Sequence, residues 1–86
     1  MRKKVIFELS AFQDFQDWAK SDREVYRRII ALIKQLRNSP STIYRQAEPL
    51  KRELNGYWSI ALDSKHRLVF KVTKRVIIII ACKYYS

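Results

Sequence analysis

The stretch Tyr57–Ala81, YWSIALDSKHRLVFKVTKRVIIIIA, decides how the chain folds. From Tyr57 to Leu62, the apolar Trp58, Ile60 and Leu62 alternate with Tyr57, Ser59 and Ala61, the two-residue period of a strand with one covered face. Asp63-Ser64-Lys65 has the composition of a turn. Arg67 to Val72 alternates again, with Leu68, Phe70 and Val72 on one side and Arg67, Val69 and Lys71 on the other. Thr73-Lys74-Arg75 makes a second turn. Val76 to Ala81 is apolar throughout, which predicts a central strand covered on both faces. If helices cover the Leu68/Phe70/Val72 face, Arg67 and Lys71 point to an open face, a natural platform for phosphates.

Upstream, residues 39–56 read as a loop with one short turn. Before it, Val25, Ile29, Leu32, Ile33 and Leu36 fall on one face of a helix, with Arg23, Arg27, Arg28, Lys34 and Arg37 on the other. Ser21 and Glu24 form a capping box at its start, and Asn38-Ser39-Pro40 ends it. A first helix of about ten residues carries Phe12, Phe15, Trp18 and Ala19 at helical spacing, with Ser10 and Gln13 as its capping box. The two helices are joined so closely that an antiparallel hairpin is expected. Both are too short to be stable alone and need a sheet to cover. Lys4 to Leu9 supplies one further strand. The order is β-α-α-β-β-β, an α+β fold with a helix hairpin on one face of a small, mainly antiparallel sheet.

At 86 residues, the chain is expected to form a single domain, residues 1–86. The formal net charge is +10, and the last quarter sets Lys65, Arg67, Lys71, Lys74, Arg75 and Lys83 against Asp63 alone. Such an excess attracts polyanions and favours nucleic acid or an acidic protein as partner. A single cysteine, Cys82, excludes an internal disulfide framework, and one His with one Cys makes a poor metal set, so no metal or cofactor is expected. Cys82 ends an apolar strand and reads as a small buried hydrophobe. Trp18 and Trp58 sit in apolar stripes and read as core. No apolar run approaches the roughly 18 residues of a membrane span. A soluble, cytoplasmic protein without membrane contact is expected.

The remaining chemistry lies in carboxylate, cations and phenols. Glu48 precedes Pro49, with Lys51 and Arg52 close behind; Arg67 opens a strand; Lys83, Tyr84 and Tyr85 lie near the C-terminus. Metal-independent RNA cleavage uses such groups: a base for the 2′-hydroxyl, a cation for the five-coordinate phosphorus and an acid for the departing 5′-oxygen.

The segments EPLKRELNGYWS (Glu48–Ser59), HRLVF (His66–Phe70) and IACKY (Ile80–Tyr84) resemble, in order and spacing, the YoeB/Txe family of bacterial toxins in the RelE/ParE superfamily. The resemblance implies a RelE-like fold and a ribosome-dependent endoribonuclease that cuts mRNA and inhibits translation. It also implies a cognate antitoxin (YefM/Phd-like, with an acidic segment), and a homodimer or a toxin–antitoxin hetero-oligomer. By position, Glu48 matches the family's general base, Arg67 the phosphate-stabilising arginine, and Lys51 a basic residue near the scissile phosphate. The family's penultimate catalytic histidine falls on Tyr85, which is assigned the acid role. Its terminal tyrosine falls on Ser86. Two arginines common after the Trp-Ser pair are Ile60 and Ala61 here. RNA contacts are assigned to Lys51, Arg52, Lys83 and Tyr84, and His66 is read as structural. The rivals are a non-enzymatic gyrase inhibitor of the ParE kind and a catalytically impaired homologue that binds ribosome or antitoxin.

Overall fold

The computed structural model describes residues 3–85. Along the chain come β1 (Lys4–Phe7), α1 (Leu9–Ser21), α2 (Arg23–Asn38), α3 (Pro40–Tyr44), β2 (Glu48–Pro49), a 3₁₀ turn (Arg52–Leu54), β3 (Trp58–Ala61), β4 (His66–Val72) and β5 (Val76–Tyr85). The strands form one five-stranded sheet in the order β1-β5-β4-β3-β2. β1 runs parallel to β5 and every other neighbouring pair is antiparallel. The α+β class and the expected β-α-α-β-β-β order hold, with α3, the 3₁₀ turn and β2 lying in the segment read as a loop. Pro40 opens α3 at a position where its missing N–H costs nothing.

The helix boundaries differ from those expected. α1 begins at Leu9, so β1 stops at Phe7 and Ser10 lies inside the helix. Glu8 stands at the N-cap position, where its carbonyl accepts from Phe12 N at 2.9 Å and its side chain makes no cap bond. α2 is capped by Asp22, not by Ser21. The Asp22 carboxylate accepts from Glu24 N at 3.1 Å and Val25 N at 3.2 Å. A charged acceptor serving two orphan amides outcompetes a hydroxyl for that place. Ser21 Oγ instead donates to the carbonyl of Asp17, within α1. Asp22 alone separates the two helices.

The helical stripe buries Val25, Ile29, Leu32 and Leu36 against Ile60, Leu68, Phe70, Ile77 and Ile79 of the sheet. Trp18 joins this core, and its indole N–H donates to the Cys82 carbonyl at 2.8 Å. Trp58 packs at the core's edge, with its ring 4.8 Å from that of Tyr44. β5 is an interior strand, but the helices cover only one of its faces: Ile77 and Ile79 are fully buried, whereas Ile78 and Ile80 are half-buried. It also runs beyond Ala81 to Tyr85. The β4–β5 register slips between Arg67 and Val69 and again between Val69 and Phe70. Simple alternation from Ile79 would turn Cys82 outward; the slips bring it inward to complete burial.

Phe70 is fully buried at the centre of this packing, opposite Trp58 on β3 and Ile79 on β5. Phe70→Ala is expected to destabilise the fold by about 3–5 kcal/mol, measured by urea unfolding; a loss below about 1 kcal/mol would contradict this packing.

Candidate active site

Arg67 pairs in register with Ala61 on β3 and Tyr84 on β5. Its side chain reaches across β3. Nε donates to Ser59 Oγ at 2.8 Å, and Nη2 donates to the Ser59 carbonyl at 3.4 Å. The same Nη2 lies 3.5 Å from Glu48 Oε1. Glu48 is brought there by β2, whose two residues pair Glu48 with Ser59 and Pro49 with Trp58. Glu48 is thus held by strand pairing, not by a free loop, and Leu50 N prolongs the attachment by donating to Tyr57 O at 2.9 Å. Pro49 has no N–H to extend such a ladder, which suits a two-residue edge strand.

The two charged groups differ in setting. The Arg67 side chain is 15% exposed and that of Glu48 is 74% exposed. The cation lies fixed along the sheet, and the carboxylate stands on an open rim. The face itself is less open than the alternation implied, because Val69 is fully buried and Ser59 nearly so. The long cationic side chains on either side account for this. Arg67 lies over Ser59, and Lys71 Nζ sits 5.4 Å from the Tyr57 ring centroid. Their apolar stems cover the sheet while their heads stay at its surface.

The other sequence-assigned residues divide between the two faces: Tyr84 shares that of Arg67, whereas Lys83 and Tyr85, the residue assigned the acid role, turn to the helix face because strand alternation sets them opposite, and they are not brought together with Glu48 and Arg67. Tyr84 is half-buried and directly opposite Arg67. Tyr85 pairs with His66, with ring centroids 4.9 Å apart, and is 65% exposed. Lys83 lies against α1, with Nζ 3.5 Å from Asp17 and 5.3 Å from the Trp18 ring centroid. Lys51 and Arg52 are exposed beyond β2. Arg52 adopts φ 60, a left-handed conformation unusual for a residue with a Cβ, at the start of the 3₁₀ turn. Ser86 lies outside the described residues. Ser59 was read only as part of an alternation and a motif; its tie to Arg67 emerges from the structure. The available signal was a small hydroxyl in a strand otherwise made of core residues.

His66 packs edge-on to Trp18, with ring centroids 5.0 Å apart, and its Nδ1 lies 3.1 Å from both Asp63 carboxylate oxygens. Asp63 Oδ1 also accepts from the amides of His66 at 2.6 Å and Lys65 at 2.8 Å. The His66 amide, the His66 side chain and the Lys65 amide together hold the Asp63 carboxyl down at about 2. Burial, with a smaller push from the Asp14 charge, raises the Cys82 thiol to about 12, as befits a core side chain and not a nucleophile. Among the described residues, no cluster of three or more His, Cys, Asp and Glu is placed to hold a metal ion. An open hollow of about 600 Å³, lined by residues including Asp22, Arg27, Arg28 and Asp63, lies beside α2 and includes neither Glu48 nor Arg67.

A helix hairpin on a mixed sheet, with Glu48 and Arg67 meeting on the face away from the core, is a small basic domain of the YoeB/ParE-like fold. A family model described as the YoeB-like toxin of bacterial type II toxin–antitoxin systems matches residues 7–86, and the chain belongs to that family. It is 38% identical over 82 residues to Toxin YoeB of Streptomyces coelicolor, covering 95% of this chain and 98% of the relative. The YoeB dimer from Staphylococcus aureus superposes with a TM-score of 0.86 at 28% identity, covering all of both chains. In a heterotetrameric YoeB–YefM complex from the same organism, a matching chain superposes with a TM-score of 0.83 at 32% identity, again over all of both chains. No helix among the described residues is long and apolar enough to cross a membrane.

The depressed Asp63 gives this turn a pH signature. Its ionised carboxylate stabilises the fold fully above the ordinary value of 3.8, and that contribution fades as pH falls towards about 2. Asp63→Asn is therefore expected to unfold more readily than wild type near neutral pH, with the gap closing through that acid window. Urea unfolding midpoints across the window check this; a gap that does not change with pH contradicts it.

Proposed function

We propose that this toxin is a ribosome-dependent mRNA endoribonuclease that arrests translation in the cytoplasm. The observation that carries the proposal is the 3.5 Å approach of Glu48 Oε1 to Arg67 Nη2 on the face turned away from the core. Glu48, exposed to solvent, accepts the proton of a ribose 2′-hydroxyl. The resulting O2′ attacks the adjacent phosphorus, and Arg67 offsets the charge that builds on the non-bridging oxygens. The P–O5′ bond breaks and Tyr84, in register with Arg67 on the same face, donates a proton to the leaving oxygen. The products are a 2′,3′-cyclic phosphate and a 5′-hydroxyl end. No metal is needed for this route. Lys51 and Arg52 add positive charge beyond β2, whereas Lys83 lies against α1 on the opposite face of the sheet.

The open rim supports dependence on the ribosome. With its base 74% exposed, the chain does not enclose its substrate. In-line attack needs the 2′-oxygen, phosphorus and 5′-oxygen to be held in a row, and positioning of that kind supplies several kcal/mol of a barrier. The ribosome supplies it, and the net charge of +10 supplies the electrostatic attraction to RNA. The same charge suits an antitoxin with an acidic segment that orders on binding, in a complex like the YoeB–YefM assembly, and a homodimer like the Staphylococcus aureus one is the corresponding free form.

Glu48→Ala and Arg67→Ala are each expected to slow cutting of ribosome-bound mRNA by at least ~10²-fold, and Tyr84→Phe by a similar factor, as single-turnover assays on programmed ribosomes would measure. Wild-type rates in Arg67→Ala would remove that side chain from the mechanism. DNA breaks with intact mRNA would favour the gyrase-directed rival. Naked RNA is expected to be cut poorly; efficient cutting without ribosomes would overturn the positioning role given to the ribosome.

A further inference from the structure

We propose that Ser59 is a positioning residue that holds the Arg67 guanidinium away from Glu48, keeping the carboxylate available as a base and the cation available to phosphate. The inference rests on the endoribonuclease function proposed above. Ser59 is 2% exposed, a polar side chain among core residues on β3. It is the direct register partner of Glu48, and its hydroxyl takes the Nε–H of Arg67 at 2.8 Å. One small residue therefore touches both working groups: its backbone sets where Glu48 stands, and its hydroxyl sets how Arg67 lies.

The distances show which contact governs. The Nε–Ser59 bond is short, whereas Nη2 stands 3.4 Å from the Ser59 carbonyl and 3.5 Å from Glu48 Oε1. The guanidinium is anchored by its Nε edge and only leans towards the carboxylate. An arginine free to choose prefers the two-pronged carboxylate pair, with two parallel N–H···O bonds. Such a pair would oppose proton uptake by Glu48 and consume the donors meant for phosphate. Removing Ser59 Oγ leaves Nε–H without its acceptor in a largely buried setting, and the nearest charged acceptor is Glu48. Collapse into the ion pair is the expected result. In Arg67→Lys a methylene takes the place of Nε, so the 2.8 Å bond to the Ser59 hydroxyl is lost.

The test is a double-mutant cycle in single-turnover cleavage of mRNA on programmed ribosomes, using Ser59→Ala, Arg67→Lys and both together. Ser59→Ala is expected to lower the cleavage rate at saturation by about 10- to 100-fold, while half-saturation by ribosomes moves less than about threefold. The losses from Ser59→Ala and Arg67→Lys should fall well short of additive, because both break the same bond. A core role for Ser59 would cost as much in either background, so additive losses would overturn the proposal. Ser59→Thr, which retains the hydroxyl, is expected to recover most of the rate; a rate as low as that of Ser59→Ala, in a protein whose urea midpoint matches wild type, would also overturn it. NMR supplies an arm independent of activity. The Arg67 Nε–H should exchange slowly with solvent in the wild type and rapidly in Ser59→Ala, and equal exchange would sink the proposal. If wild-type protein does not cut but the exchange difference is present, the endoribonuclease function fails and the Ser59–Arg67 tie stands.

Discussion

The two-residue period of β4 is the constraint on which the rest depends. Leu68 and Phe70 face the helices and are fully buried, and Arg67, just before Leu68, faces the other way. A slip of one residue would exchange these sets, driving a guanidinium into the core and phenylalanine into solvent. Core packing therefore enforces the register, and the register delivers Arg67 to the functional face. The same pairing places Ser59 on β3 and Glu48 on β2 within its reach. Stability and function are separate in side chains but joined in backbone geometry.

The electrostatic arrangement follows from that geometry. The guanidinium is held by a neutral hydroxyl and a carbonyl, so its charge is not cancelled by its anchor. The carboxylate is close enough to share a substrate yet mostly in water, where attraction across 3.5 Å is weak compared with that of a buried pair. The chain thus keeps a base and a cation side by side without locking them together. On the far side of β4, Asp63 and His66 tie the β3–β4 turn, and His66 meets Trp18 and Tyr85 in an aromatic row that links the end of β5 to α1.

Much of this was legible in the sequence because alternation and helical spacing report burial directly. The strand cores at Trp58–Ala61 and Arg67–Val72 and the α2 stripe follow from such patterns. Caps were less legible: Ser21, Asp22 and Glu24 crowd one boundary, and only geometry shows the Asp22 carboxylate taking both amides. The segment around Glu48 read as a loop because a two-residue strand beside a proline has no period to detect. The register slips in β5 were invisible in an unbroken apolar run, yet they decide that Tyr84 pairs with Arg67 and Tyr85 with His66. The Glu48–Arg67 pairing follows from the family motif; chain proximity alone points to Lys51 as the partner of Glu48. The lone hydroxyl of Ser59 in an apolar strand marks the position, but nothing in the sequence says that it anchors Arg67.

The central claim is that Glu48 and Arg67 act together on one ribose–phosphate link through its own 2′-hydroxyl. The most direct measurement replaces the nucleotide 5′ to the cut with its 2′-deoxy form in mRNA bound to the ribosome and follows cleavage there. The account predicts that cutting at that link stops, while unmodified mRNA yields 2′,3′-cyclic phosphate and 5′-hydroxyl ends. Undiminished cutting of the deoxy link would contradict it.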